Sequence, residues 1–159
     1  MIKELQQRFH QPGELQWIGL RPDKGLPLVS VSEVIADPAA GLAGDHYHGR
    51  SGKRQVTLLQ HEHLGVIERL TNRAITPAML RRNLVVAGIN LLALHKQYFQ
   101  IGKAVFFATG RCHPCSRMET VLGSGGYNAM RGHGGMTAQV IEEGSIRVGD
   151  AVVALPDYL

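Results

Sequence analysis

The stretch Leu80-Arg81-Arg82-Asn83-Leu84-Val85-Val86-Ala87-Gly88 marks the point where a short helix gives way to a strand. Thr76-Pro77 begins that helix with a capping hydroxyl and a proline at the first helical position. The apolar run from Leu84 to Ala87 then predicts a strand. Two guanidiniums and an amide in the turn between them can hold a phosphate or carboxylate. The alternative, arginines that interact only with the helix dipole and water, is favoured by position alone.

On both sides of this stretch, the pattern of apolar residues predicts mostly strands. Apolar runs predict further strands at 15–20, 28–34, 56–59, 104–108 and 151–155. Helical spacing predicts short helices at 2–9 and 61–70, the second with Leu64, Ile67 and Leu70 facing inward. Segments 37–53 and 110–136 are predicted to be loops. We expect a β-rich barrel or sandwich formed by one domain over residues 1–159, with its core at about 17–156 and a short helix within 1–12.

Composition excludes several classes of protein. Glycine accounts for 19 of 159 residues, ~12% against a usual ~7%, which disfavours a bundle of long helices. The apolar stretches are too short to cross a membrane, and no basic-then-apolar leader begins the chain. A net charge of +4 fits an anionic small ligand, whereas no Lys/Arg run indicates nucleic acid. We therefore expect a soluble cytoplasmic protein with reduced thiols and no membrane or nucleic-acid partner.

Cys112 and Cys115 form the first motif that could carry chemistry. Arg111, His113 and Arg117 flank them, and a positive field favours the thiolate, which is the form that attacks or binds a metal. Three alternatives remain open. The first is a pair of packing residues at a strand end, and the second is a thioredoxin-like redox pair. The third is a zinc site with a second pair of ligands from His46 and His48 or from His61 and His63.

A second motif is the glycine-rich segment 123–135. Six of its thirteen residues are glycine, so its backbone can approach a ligand closely and form an anion nest, with Arg131 and His133 as additional donors. A flexible lid or a set of tight turns is the alternative. Glycine spacing excludes a dinucleotide-binding fingerprint at Gly123 and a P-loop at Lys53. A nucleotide-binding enzyme of either type is therefore disfavoured.

Several segments together, in order along the chain, resemble the MOSC domain, which is the carboxyl-terminal module of molybdenum-cofactor sulfurases. They are 41–46, 54–59, 81–90, 99–102, 112–119, 132–135 and 148–150. The resemblance implies a closed, pseudo-knotted β-barrel of the pyruvate-kinase-barrel type. It also implies molybdenum-cofactor binding, with sulfur transfer or reduction of N-oxygenated compounds, and a family association with pyridoxal phosphate.

The resemblance also assigns residues. Cys115 aligns with the cysteine that binds molybdenum, Cys112 is an auxiliary thiol, and Arg81 and Asn83 match a pattern that holds the phosphate end of the pterin. The other expected cofactor-binding residues are Lys53, Arg54, Arg82, Arg131 and His133. The implied partners are a small-molecule ligand and either a cysteine desulfurase or an electron-transfer protein. The alternatives are a cofactor-free persulfide carrier and a non-catalytic module that binds an anion or pterin.

Overall fold

The computed structural model describes residues 1–47 and 49–159, and His48 lies outside the described residues. The strands are β1 (Gly13–Leu20), β2 (Val29–Val31), β3 (Glu33–Asp37), β4 (Gly41–Leu42), β5 (Val56–Gln60), β6 (Leu84–Ala87), β7 (Tyr98–Ile101), β8 (Ala104–Arg111), β9 (Met136–Glu142), β10 (Gly144–Arg147) and β11 (Ala151–Ala154). The helices are α1 (Ile2–Leu5), α2 (His61–Thr71), α3 (Pro77–Leu80), α4 (Arg117–Leu122), α5 (Gly126–Met130) and a 3₁₀ helix at Leu91–Leu94. None of these helices is long and apolar enough to cross a membrane.

Within the described part of the chain, seven strands close into a barrel in the order β11-β7-β8-β9-β5-β6-β1. The barrel closes where β11 pairs with β1, through Gly13 opposite Val152 and Glu14 opposite Ala151. Strands β5 and β6 run parallel, and the other neighbours in the ring are antiparallel. The prediction of a closed, mainly β barrel is confirmed.

A small second sheet, in the order β10-β3-β4, covers part of the barrel. Its apolar side chains Val34, Ala36 and Ile146 are buried in the same hydrophobic cluster as the barrel interior. Inside the barrel, the rings of Phe99 and Phe106 stack with their centroids 5.3 Å apart. The short sheet therefore shares the core of the barrel instead of forming one of its own.

Helices α2, α3, α4 and α5 pack on the outside of the barrel around a second apolar cluster. Its buried members come from two barrel strands and from the helical segments; they are Leu59, Ile67, Ile75, Leu80, Val85, Met118, Leu122 and Met130. Strands β5 and β6 supply one residue each, Leu59 and Val85, because they are buried on both faces. This cluster holds α3, α4 and α5 together on one side of the barrel, and it thereby positions the turn before β6 and the cysteine-bearing segment.

Most predicted elements are present, and the errors have physical causes. The predicted strand at 28–34 is wrong as a single element, because β2 pairs with β1 whereas β3 pairs with β10 in the other sheet. Leu70 is 59% exposed and does not face inward, whereas Ile67 is fully buried. The N-terminal helix ends at Leu5. The segment 110–136 is not one long loop, since it contains α4 and α5.

Candidate functional site

Asn83 is the centre of a buried polar network at the start of β6. Its side-chain oxygen accepts hydrogen bonds from the amide and the hydroxyl of Thr57, at 3.0 and 3.2 Å. Its side-chain nitrogen donates to the carbonyl of Gly19 at 3.0 Å and to the carboxylate of Asp45 at 3.2 Å. Asn83 is completely buried, so its amide joins β1, β5 and β6 at one end of the barrel. We therefore expect it to position its neighbours.

Asp45 extends this network to the surface. Its carboxylate accepts from the backbone amide of Arg21 at 2.8 Å and from the Arg21 guanidinium at 3.2 and 2.9 Å. The Asp45 side chain is fully buried, whereas that of Arg21 is 25% exposed. A bidentate pair of this kind fixes the plane of the guanidinium. Asp45 thus holds Arg21 in place.

Arg81 lies within electrostatic reach of Arg21, Arg117 and Cys115, and we call these four residues the arginine–thiol cluster. Arg81 ends α3 in the left-handed conformation, with φ 58°, and donates to the carbonyl of Leu26 at 2.8 Å. Burial lowers the pKa of Arg81, and the charges of Arg117 and Arg21 lower it further, while Cys115 and Asp45 act in the opposite direction. Three guanidiniums and an exposed thiol thus share one region of the surface.

Arg54 lies at the edge of the same region. It lines a cavity of about 300 Å³ together with Arg21, Tyr47 and Thr57. Thr57 belongs to the Asn83 network, so the wall of this cavity is continuous with the buried polar groups. Lys53 is exposed, and its backbone carbonyl accepts a hydrogen bond from the Thr109 hydroxyl.

Arg82 points away from this cluster, into the protein. It is 7% exposed, and its guanidinium donates to three backbone carbonyls: those of Gly134 at 2.8 Å, Leu80 at 3.2 Å and His113 at 3.4 Å. No carboxylate within the described ranges pairs with it. Arg82 therefore joins the segment that carries the cysteines to the glycine-rich segment, which is a positioning role visible only in three dimensions.

The two cysteines face different surroundings. Cys115 is exposed, whereas Cys112 is 4% exposed and donates its backbone amide to the carbonyl of Gly135 at 2.9 Å. Cys112 lines a separate cavity of about 500 Å³ together with Arg111 and Arg131. The structure thus brings Cys115 near Arg81, and places Arg131 with Cys112.

His133 belongs to the glycine-rich segment and packs against His63 of α2. Its ring meets that of His63 edge-on, with centroids 4.8 Å apart, and its Nδ1 is buried with no hydrogen-bond partner in the described chain. Burial lowers the pKa of His63, and the charge of His133 lowers it further.

The carboxylate of Glu119 accepts hydrogen bonds from the amides of Gly125 and Tyr127, at 2.9 and 3.0 Å, and so caps α5.

A zinc site was among the open alternatives. Residues 1–47 and 49–159 contain no group of three or more His, Cys, Asp or Glu side chains arranged to hold a metal ion. His48, one of the predicted additional ligands, lies outside those residues.

Sequence reasoning named Arg117 as a cation beside the cysteines, but it missed Arg21, Asp45 and Thr57 as members of the site. Arg21 directly follows β1, and Asp45 lies 24 residues further along the chain. Only the pairing of β1 with β6 and the loop after β4 bring them to Asn83. The one usable signal was the Gly44-Asp45-His46 triplet within the family-like segments.

Comparisons with known proteins agree with this architecture. The family model of the MOSC domain matches residues 44–153. The structure resembles the crystal structure of YuaD from Bacillus subtilis, with a TM-score of 0.78, 17% identity and coverage of 91% of this chain and 97% of that chain. It also resembles YiiM from Geobacillus stearothermophilus (TM-score 0.75, 17% identity, 91% and 75% covered) and YiiM from Escherichia coli (0.71, 18%, 91% and 71%). At these identities the likeness shows the fold alone. A search of curated proteins found no match.

Proposed function

Because the chain belongs to the MOSC domain family, we propose that it binds the molybdenum cofactor, or a related sulfurated anion, at the arginine–thiol cluster. In this proposal the thiolate of Cys115 is the molybdenum ligand. The observation that carries it is the exposed Cys115 thiol near the guanidinium of Arg81, which also lies near the charges of Arg21 and Arg117. A soft thiolate beside fixed cations suits a ligand that combines a metal–dithiolene centre with a phosphate.

The chemistry of the cluster fits both parts of this ligand. Arg21 is fixed by Asp45, and Arg81 is fixed by its bond to the Leu26 carbonyl, so two of the guanidiniums are already oriented. Fixed guanidiniums bind a phosphate with little loss of side-chain entropy. Cys115 precedes the first turn of α4, where its carbonyl accepts from the amide of Met118 at 3.0 Å, so the thiol is held at a helix start.

When bound, the cofactor supplies a metal centre that changes its oxidation state, which suits the reduction of N-oxygenated compounds. The chain supplies the ligand thiolate from Cys115 and a positive surface for the phosphate. The exposed Arg117 and Arg54 are the residues at which an incoming anion first meets the protein.

Molybdenum retention tests this proposal. Purified protein is incubated with molybdenum cofactor and desalted, and its molybdenum content is measured by mass spectrometry. We expect wild-type protein and Ser116→Ala, a change at the exposed neighbour of Cys115, to retain the metal, and Cys115→Ser to lose it. Equal retention by wild type and Cys115→Ser, or loss in Cys112→Ser alone, would contradict the role of Cys115.

The exposure of Cys115 also favours a second function, as a persulfide carrier without cofactor. The Cys115 thiolate would attack the terminal sulfur of a cysteine desulfurase persulfide, forming a persulfide on Cys115 and releasing the desulfurase thiolate. Intact-protein mass spectrometry after incubation with a desulfurase and free cysteine should show one added sulfur, absent in Cys115→Ser. If neither metal nor sulfur is retained, the third alternative, a non-catalytic anion-binding module, is favoured.

A further inference from the structure

A second cavity lies beside the cysteine segment, and no residue of the arginine–thiol cluster is among its described lining residues. It has a volume of about 500 Å³, which falls within the range of small-molecule sites. One wall is the end of β8 with the residues that follow it, including Arg111 and Cys112, and the other is the segment from Tyr127 to Gly135. Within the described lining, neither Cys115 nor Arg81 takes part.

The cavity contains two cations without a counter-charge. Arg111 and Arg131 line it from opposite walls, both are exposed, and neither has a carboxylate partner within residues 1–47 and 49–159. The carboxylate of Glu119, on the neighbouring helix α4, is held by the amides of Gly125 and Tyr127. Two guanidiniums that converge on one cavity repel each other, and an anion between them removes that repulsion.

The cavity is built rather than accidental, because a buried arginine fixes its walls to each other. The Arg82 guanidinium donates to the carbonyl of Gly134 on one wall and to that of His113 on the other. A Cβ atom at Gly134 would collide with the carbonyl of Cys112, so the two segments touch at this point. Gly135, with φ 92°, gives the turn that lets the chain enter β9 there. The walls are therefore oriented before any ligand arrives.

Beside the arginines, the glycines, Cys112 and His113, the lining has an apolar part, which indicates the body of the ligand. Leu92, Pro114 and Tyr127 complete the cavity, and Leu92 and Tyr127 are 36% and 40% exposed. A phenol ring and aliphatic groups beside two guanidiniums fit a flat or apolar body with an acidic group at one end. We propose that this cavity binds a small organic phosphate or carboxylate with an aromatic or apolar body, at a site separate from Cys115.

The test uses phenyl phosphate and benzoate as probes, followed by NMR on ¹⁵N-labelled full-length protein. We expect the amide resonances of Gly132, Gly134 and Gly135 to shift saturably with either probe. The concentrations needed for saturation show whether the phosphate or the carboxylate binds more tightly. Arg131→Gln and Arg111→Gln should each weaken binding at these amides about tenfold. Arg69→Gln, which removes an exposed charge on α2, is the matched control and should change nothing. Thermal melting checks that each variant folds.

Other outcomes separate this proposal from the proposed function. If the shifts appear only at residues 81, 115 and 117, or if Arg81→Gln removes the glycine shifts, the ligand occupies the arginine–thiol cluster and the second site is wrong. Phenol, the neutral probe, should not bind; saturable binding of phenol with the affinity of phenyl phosphate would overturn the role of the guanidiniums. The two proposals fail separately: because Cys115 does not line this cavity, we expect the glycine resonances to shift even if the protein retains no molybdenum.

Discussion

At the scale of single residues, Asn83 shows how a residue that resembles a ligand-binding side chain can also be required by the fold. Its amide group uses both of its ends inside the protein, on Thr57, Gly19 and Asp45. A direct bond to a cofactor would have to displace one of these partners. Its contribution to binding is therefore expected to be indirect, through the position of Asp45 and hence of Arg21.

Replacement of Asn83 by alanine tests this role. The change leaves the buried Thr57 amide and the Gly19 carbonyl without partners, and an unsatisfied buried polar group costs about 1–3 kcal/mol. We expect Asn83→Ala to lower the free energy of unfolding by about 2–4 kcal/mol in urea denaturation. Asn128→Ala, at an exposed position of α5, is the control and should change it by less than about 0.5 kcal/mol. Similar values for the two variants would contradict the structural role.

Arg82 leads to a second prediction at this scale. A lysine cannot donate simultaneously to the carbonyls of Gly134, Leu80 and His113, because an ammonium lacks the planar fork of a guanidinium. We expect Arg82→Lys to loosen the cysteine segment and expose Cys112. In a Cys115→Ser background Cys112 is the remaining cysteine, so its alkylation by N-ethylmaleimide can be followed by mass spectrometry. The rate should rise several-fold.

The control for this prediction is Arg73→Lys in the same background. Arg73 also donates to a backbone carbonyl, that of Val121 at 3.3 Å, but it is exposed. It should leave the alkylation rate of Cys112 unchanged. An equal rate in all three proteins would mean that Arg82 does not hold the segment closed.

Residue identities in the site could be predicted only in part from the sequence. Arg81 and Cys115 were found because each stands in a short polar motif whose chemistry is local. Arg21 and Asp45 were missed because their place in the site depends on a hydrogen bond between positions 24 residues apart. The sequence predicts an anion-binding loop around Arg131, but only the packing of that loop on Cys112 indicates which thiol Arg131 accompanies.

At the scale of elements, we expect the contact between α2 and the glycine-rich segment to depend on pH. His63 on α2 meets His133 edge-on, and burial followed by the charge of His133 lowers the pKa of His63, while Glu62 opposes this. The folded state thus prefers neutral His63. Below the ordinary value of 6.5, the unfolded chain takes up this proton more readily than the folded chain, so stability falls as the pH decreases.

Replacement of His63 by glutamine measures this effect. Between pH 7.5 and pH 5, we expect the free energy of unfolding of the wild type to decrease more than that of His63→Gln, because glutamine does not titrate. Chemical denaturation at several pH values gives both curves. The exposed His10, changed to glutamine, is the control and should leave the wild-type dependence intact. Parallel curves for wild type and His63→Gln would contradict the role of this contact.

Element prediction succeeded where apolar runs are long and failed where pairing decides. Strand β6 follows directly from Leu84-Val85-Val86-Ala87, since a buried strand needs a continuous apolar run. The run 28–34 looks equally continuous, but β2 and β3 join different sheets and the chain changes partner at Ser32. Helices α4 and α5 were missed because each is short and rich in glycine or polar residues. Tertiary contacts of Met118 and Met130 stabilise them.

At the scale of the whole molecule, the first and last strands of the barrel along the chain pair with each other and close the barrel. Strand β11 pairs with β1, which lies more than 130 residues earlier, at Gly13 opposite Val152. No local pattern predicts that contact, although the family resemblance does imply a closed barrel. The interior cluster also includes the small sheet, while the outer cluster includes the partly buried Trp17 of β1. Strand β1 thus contributes to both clusters, which favours cooperative unfolding of barrel and helices.

The closure of the barrel provides a test of this cooperativity. Val152 is fully buried in the interior cluster, whereas its neighbour Val153 is 40% exposed on the same strand. Removal of two buried methyl groups by Val152→Ala should lower the free energy of unfolding by about 1.5–3 kcal/mol, and Val153→Ala should have little effect. Trp17, the single tryptophan, reports by fluorescence on the helical side, and far-UV circular dichroism reports on the whole chain. Because β1 joins the two clusters, we expect Val152→Ala to shift both transitions to the same lower urea concentration. A shift in circular dichroism without one in Trp17 fluorescence would show that the helical side unfolds separately from the barrel.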